Sequence, residues 1–472
     1  MSVATPLQSD TQVSLDSEQA LYAYLRANQV CLPPGKSQLL SFSDSVNCVD
    51  PLRIFAALNL QNTVHFYGEN AARQEIILGF GLCQSLRISG KYRFQLAQQF
   101  SQDCFARLTP IANGQGATHL PAIFCGFSFF DSPVLVGAFP NSFLFLPQIQ
   151  LSLGPTGGRI CCQIVLDQTT NLSPLVESLF ATLRIIRQPP LLSPPPPSLP
   201  TLDLPGPAPG PALSQAIARG LDHIQRHRLS KVVLATAVDI DAQQPFQIVH
   251  CLQRLRRNYG DCHLFSFGNG QGDCFIGASP ERLLSLQNQQ LITDALAGSA
   301  PRGNTPATDR QLGQQILHNP KEQREHQAVL DYLLTRLTAL GLTPQASPLK
   351  LLKLSNIQHL WTQIRAKSPA PLHPLELVAQ LHPTPAVAGV PAAIACDFIR
   401  EHETFERALY AAPLGWLDSQ GNSEFIVGIR SALISQNRAR LYAGAGIVAG
   451  SDPQQEVAEI ELKLQTLWRS LV

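Results

Sequence analysis

Two hydrophobic periods alternate along this chain. Apolar or alternating runs of strand length give way to stretches whose apolar residues return every three or four positions, as on one face of a helix. Early on, "IILGFGLCQSL", "AIFCGFSFF" and "NSFLFLPQIQLSL" are divided by Gly, Pro and Asn, which predicts antiparallel strands with helices between them. Later, "ALSQAIARGLDHIQRHRL" predicts an amphipathic helix, followed by strands at 231–240, 262–268, 273–278, 282–287 and 290–296. Helical periodicity covers roughly 306–339. The end alternates strands at 413–418, 424–435 and 438–448 with a helix over 453–470, whose Ser451, Asp452 and Pro453 suit an N-terminus. No short repeat or sustained heptad interrupts the scheme.

One letter breaks the pattern. In "LSKVVLATAVDI" (229–240) Lys231 heads an otherwise apolar strand, where an ammonium must either turn back to solvent or be held for chemistry. A second break is compositional: "QPPLLSPPPPSLPTLDLPGPAPGP", residues 188–211, holds eleven prolines and suits neither a helix nor a central strand. It separates residues 1–187 from 212–472.

With 472 residues, 44% hydrophobic and 15% charged, the chain can bury one large core or two ordinary ones. Its 35 basic and 34 acidic side chains nearly cancel, so no general field draws it to nucleic acid or anionic lipid, and an anionic ligand must be caught locally. Eleven cysteines, an odd number without a C-x-x-C pair, suggest reduced thiols rather than a disulfide framework or zinc site. The first thirty residues lack the basic start and apolar block of a signal peptide, and no apolar run is long enough to span a bilayer. The expectation is a soluble, cytoplasmic protein.

Three constellations can carry chemistry. In "GASPERLLSL" Glu281 stands just ahead of a strand, so that it and Lys231 can face each other as acid and base, or else simply form an ion pair or sit as two solvated edge charges. In "KEQREHQAVLDYL" Glu325 precedes Val329 and Tyr332 at helical spacing, near the buried face. Glu456, Glu459 and Lys463 fall at i, i+3 and i+7 of the last helix. Carboxylates converging from two helices suit Mg²⁺, while surface pairing is the plainer alternative. The third group catches anions: the small-residue turns "ALAGSAPRG" (295–303) and "AGAGIV" (443–448), and Arg430 inside the apolar strand "FIVGIRSAL". Tight hairpins and an internal salt bridge are the alternatives. No dinucleotide fingerprint, P-loop or G-x-S-x-G elbow is present.

In this order "KVVLA", "IGASPERLL", "DALAGSAPRG", "EHQAVLDYL", "HPTPAVAGVP", "APLGWLDSQGNSEFIVGIRSAL" and "YAGAGIVAGSDPQQEVAEIELK" resemble the chorismate-utilising enzymes, and among them the isochorismate synthases. The resemblance covers 212–472 strongly, and "FYGEN" and "CGFSFF" extend it more loosely into the first part. It implies an α+β fold: one large domain with antiparallel sheets in a sandwich and helices outside. Residues 1–187 would then be the N-terminal part of that fold, 188–211 an exposed insertion, and 212–472 the chorismate-binding catalytic region. It further implies that Lys231 activates water for attack on C2 of chorismate while Glu281 protonates the departing C4 hydroxyl. Mg²⁺ would be held by Glu325 and Glu459 with Glu456 close by. Arg430, Lys463 and the backbone around Gly298, Ser299 and Gly444 would take the other substrate oxygens, with His382 on the pocket wall.

The resemblance implies no obligatory protein partner, compatible with a monomer, and a product destined for menaquinone or phylloquinone, a siderophore or salicylate. Thr236, Ala412 and Asp294 depart from the residues usual in the family, and Asp294 is expected to be structural. Two rivals share the fold. A salicylate synthase would go on to eliminate pyruvate; the small Ala386 leans away from it. An anthranilate or aminodeoxychorismate synthase large subunit would dock an amidotransferase, and it usually carries glutamine where this chain has Lys231. A non-catalytic binding protein is disfavoured because acid, base and metal carboxylates occur together.

Overall fold

The computed structural model describes residues 15–47, 49–111, 120–132, 138–155, 157–192, 211–355, 357–367 and 372–471. The proline-rich stretch falls almost wholly outside them. Among the described residues two sheets, one of twelve strands and one of ten, lie face to face. The larger runs Gly389–Val390, Lys231–Asp241, Arg438–Val448, Ser431–Ser435, Asp273–Ser279, His263–Asn269, Val64–Asn70, Glu75–Phe80, Ile149–Gly154, Gly157–Asp167, Ser37–Val46, Leu108–Ile111. The smaller runs Gln345–Ala346, Ile357–Lys367, Gln290–Pro301, Arg282–Gln287, Ser423–Val427, Pro413–Asp418, Ala122–Phe127, Ser142–Leu146, Gln84–Ile88, with Lys350–Lys353 also paired to Ile357–Lys367. Pairing is antiparallel except between Ser37–Val46 and Leu108–Ile111. This is the expected α+β sandwich.

Each sheet has a single seam where strands from before the proline-rich stretch meet strands from after it: His263–Asn269 pairs with Val64–Asn70, and Pro413–Asp418 with Ala122–Phe127. Aromatic rings fill the space between the sheets near the seams, with Phe66 stacked on Phe124 at 5.0 Å and Phe145 on Phe267 at 6.1 Å. Such contacts add about 0.5–1.5 kcal/mol each beyond their area burial. Glycine makes the closeness workable, since a Cβ at Gly126 would come within 2.4 Å of the Phe267 ring.

Three expectations need correction. The helical zone 306–339 is two helices, Pro306–His318 and Pro320–Ala339, because Asn319 caps the second, accepting from Lys321 N and Glu322 N, and Pro320 fits only a first turn. The strand expected at 424–435 is also two, Ser423–Val427 in the smaller sheet and Ser431–Ser435 in the larger. Apolar continuity conceals this switch, since both pieces are buried. Finally, "ALAGSAPRG" and "AGAGIV" are not turns. Residues 290–301 form one strand with a bulge at Gly298 (φ +75°), and Gly444 and Gly446 lie within Arg438–Val448.

Candidate active site

The chain passes from the larger sheet to the smaller between Asp273–Ser279 and Arg282–Gln287, and back again between Ser423–Val427 and Ser431–Ser435. These two crossings lie side by side and are tied together. Val427 N donates to Glu281 O at 3.1 Å, Ser279 Oγ to Val427 O at 2.6 Å, and Ala278 N to Arg430 O at 3.1 Å. Glu281 rides on the first crossing and Arg430 on the second. Arg430 is therefore not a strand residue; its φ of +50° is the left-handed turn that ends one strand and starts the next. Its guanidinium joins no ion pair among the described residues, so it is available to a ligand anion.

A cleft of about 100 Å³ opens beside the crossings, lined by Glu281, Gly298, Ser299, Glu325, Arg430, Gly444, Glu456, Glu459 and Lys463. Nine of the residues read from the sequence thus meet in one place. Lys231 lies just behind the wall. It is 1% exposed, and its Nζ reaches Glu325 Oε1 at 3.0 Å. Gly446 creates the space for that pair, since a Cβ there would stand 2.2 Å from Glu325 Oε1 and 3.2 Å from Lys231 Cε. No Lys231–Glu281 ion pair is present among the described residues. His382 does not line this cleft: its Nε2 lies 3.0 Å from Phe129 O and its ring meets Phe129 edge-on. Burial holds its pKa down at about 3, so it is neutral and positions backbone.

Glu281 is 4% exposed, and burial raises its carboxyl to about 8 against the opposing charge of Lys231, with Asp294 adding to the rise. A buried carboxylic acid that stays protonated at neutral pH is a proton donor. Asp294 is held by Trp361 Nε1 at 3.0 Å and by Arg282 at 3.5 Å, as a structural residue should be.

The same cleft is lined by four carboxylates from the first two turns of two helices. Pro320–Ala339 packs on strand Gln290–Pro301 and supplies Glu322 and Glu325; Pro453–Leu471 packs on Arg438–Val448 and supplies Glu456 and Glu459. Burial works to raise Glu459, but Lys463 at 2.7 Å and Ser299 Oγ at 2.7 Å outweigh it and hold the carboxyl down at about 2. Burial and the neighbouring Glu325 raise Glu322; burial raises Glu456 against the pull of Lys321. An all-oxygen donor set of this kind suits a hard divalent cation. As folded, the four carboxylates lean on three lysines, Glu322 and Glu456 sharing Lys321, and no three Asp, Glu, His or Cys groups among the described residues converge as a ready-made cage.

The anion-catching backbone behaves differently from expectation. Ser299 N donates to Glu322 Oε2 at 3.0 Å, and Lys463 Nζ donates to Gly444 O at 2.8 Å as well as pairing with Glu459. The Gly298 bulge thus aims Ser299 at two carboxylates, and a Cβ on Gly298 would press within 3.0 Å of Glu322 Oε2. Sequence reasoning missed Glu322, Lys321 and His359. The i, i+3 spacing of Glu322 and Glu325 was a signal for the first. His359 gives none: its neighbour in space is Gly298, whose carbonyl accepts from Nδ1 at 3.1 Å, and its Nε2 has no hydrogen-bond partner among the described residues. A separate cavity of about 150 Å³ between the sheets contains none of these groups.

A family model for chorismate binding enzymes matches residues 26–472. The chain belongs to the chorismate-binding enzyme family. This chorismate-binding enzyme is 33% identical over 445 residues to the salicylate biosynthesis isochorismate synthase of Pseudomonas aeruginosa, covering 92% of this chain and 90% of that one. It is 40% identical over 255 residues to isochorismate synthase MenF of Escherichia coli, an alignment spanning 53% of this chain and 58% of that protein. The solved structure of Escherichia coli MenF, the menaquinone-specific isochorismate synthase, superposes over 97% of this chain and 100% of that one with a TM-score of 0.75 at 27% identity. Anthranilate synthase component I from Streptococcus pneumoniae shares the fold, with a TM-score of 0.65 at 19% identity over 84% of this chain and 92% of that one. No helix among the described residues is long and apolar enough to cross a membrane.

Proposed function

We propose that this enzyme is an isochorismate synthase that uses water as its nucleophile. The observation that carries the reading is a base and an acid at one cleft: Lys231, buried at a strand head just behind the wall and paired with the lining residue Glu325, and Glu281 on the wall itself, a carboxylic acid protonated up to about pH 8. Water adds to C2 of the chorismate ring and gives its proton to the Lys231 amine. The ring double bonds shift, the C4–oxygen bond breaks, and the Glu281 proton goes to the departing hydroxyl, which leaves as water. One water enters and one leaves, so the product is an isomer. Glu325 holds the Lys231 amine in place, and Arg430 is the free guanidinium for a substrate carboxylate.

Glu325 and Glu459, with Glu456 close by, are the residues that would hold Mg²⁺. A bound Mg²⁺ supplies positive charge against the ring carboxylate. The small Ala386 on the cleft wall favours release of isochorismate over elimination of pyruvate. The product would serve quinone, siderophore or salicylate synthesis.

The test is to incubate the purified protein with chorismate and MgCl₂, without ammonia, and to separate the products by chromatography. Isochorismate as the main product is expected. Salicylate with pyruvate, or anthranilate or aminodeoxychorismate once ammonium is added, would replace this reading with one of its relatives' chemistries.

A further inference from the structure

Each acidic group on the metal side of the cleft is held by a lysine. Glu325 pairs with Lys231 at 3.0 Å, Glu459 with Lys463 at 2.7 Å, and Glu456 with Lys321 at 2.7 Å; Lys321 also stands 3.3 Å from Glu322. Two of these lysines have evident duties. Lys231 faces the reacting ring in the proposed mechanism, and Lys463 is anchored on Gly444 O. Lys321 has neither, and its position is unfavourable: it sits in the first turn of Pro320–Ala339, where the helix dipole disfavours a cation. Burial also works against its charge. The carboxylates of Glu456, Glu322 and Glu325 outweigh both effects and keep it firmly protonated.

Exposure separates it further. The Lys321 side chain is 24% exposed, against 1% for Lys231 and 14% for Lys463, so of the three it has the most open path to solvent. A divalent ion approaching these carboxylates meets an ammonium already 2.7 Å from an oxygen it needs, and like charges at that distance repel strongly. We propose that Lys321 is a displaceable counter-ion that competes with the divalent cation for Glu456 and Glu322, and so sets the metal affinity of the cleft. Metal entry then swings Lys321 outward, while Lys231 and Lys463 keep their places. This inference rests on the reading of the cleft as a metal site.

The experiment is direct titration with Mn²⁺, following free Mn²⁺ by electron paramagnetic resonance, without chorismate and without turnover. The proteins are the parent, Lys321→Met, Lys321→Gln, Lys321→Arg and Glu459→Gln, each checked for folding by its melting transition. Lys321→Met should bind Mn²⁺ roughly two- to fivefold more tightly than the parent, the size of one partly exposed ion pair, while Lys321→Arg stays near the parent. Lys321→Gln should match Lys321→Met, and it decides the matter if the methionine variant does not fold. Unchanged or weaker binding in the neutral variants, with normal binding by the parent, overturns the role of Lys321 alone. A parent that binds no Mn²⁺, or a Glu459→Gln variant that binds as well as the parent, overturns the metal site itself and this proposal with it.

Discussion

Glu281 ties rate and stability to one proton. Its folded pKa of about 8 lies above the ordinary carboxylate value, so the folded protein holds this proton more tightly than the unfolded chain does. The associated stability is complete below the unfolded value and is lost as pH rises through about 8. Turnover by an acid that must donate should fall over the same upper range. Glu281→Gln cannot ionise; it should lose roughly two to four powers of ten in rate, yet gain on the parent in melting temperature between pH 5 and pH 9. Parallel melting profiles for the two proteins would contradict the raised pKa. Lys231→Ala should lose a similar factor in single-turnover rate, and near-normal turnover would remove it from the chemistry. These two residues were legible because each is a charge set against an apolar strand. Lys321 and Glu322 were not, since on a charged helix they read as solvated surface, and only the packing of the helix on strand Gln290–Pro301 turns them inward.

At the scale of elements, the site depends on small departures from regular structure. Asn319 divides a continuous helical pattern and starts a fresh helix, so that Lys321, Glu322 and Glu325 fall in or near its first turn. Periodicity alone runs through such a break, because both helices keep an apolar face. The bulge at Gly298 turns Ser299 toward Glu322 and Glu459, whereas the letters "ALAGSAPRG" suggest a turn from composition. Gly446 allows a further test. Gly446→Ala keeps the strand pairing with Lys231–Asp241 but sets a methyl 2.2 Å from Glu325 Oε1, so the Lys231–Glu325 pair must separate. The expected outcome is a loss of at least about a hundredfold in kcat with a cooperative melting transition retained, as for a misplaced general base. Activity within a few-fold of the parent would show that the pair is dispensable.

For the whole molecule, the sandwich outline was legible from the alternating strands and helices, but the pairing order was not, because each sheet joins strands from both ends of the chain. The two seams also bear on how the protein holds together. Cutting the backbone once between Leu192 and Pro211 removes no strand pairing at either seam, so the two pieces should elute as one particle of full mass and retain activity. Residues 212–472 produced alone would expose the edges His263–Asn269 and Pro413–Asp418 and should aggregate. Separate soluble pieces after the cut would mean that the seams do not hold.

The paired crossings give the two sheets a shared axle. Glu281 and Arg430 sit on that axle, while Lys231 belongs to the larger sheet alone. Any sliding of one sheet over the other therefore alters the reach from base to acid while leaving acid and guanidinium in step. Enlarging or trimming a ring at Phe124 or Phe267 should retune the chemical step without touching a single residue of the cleft.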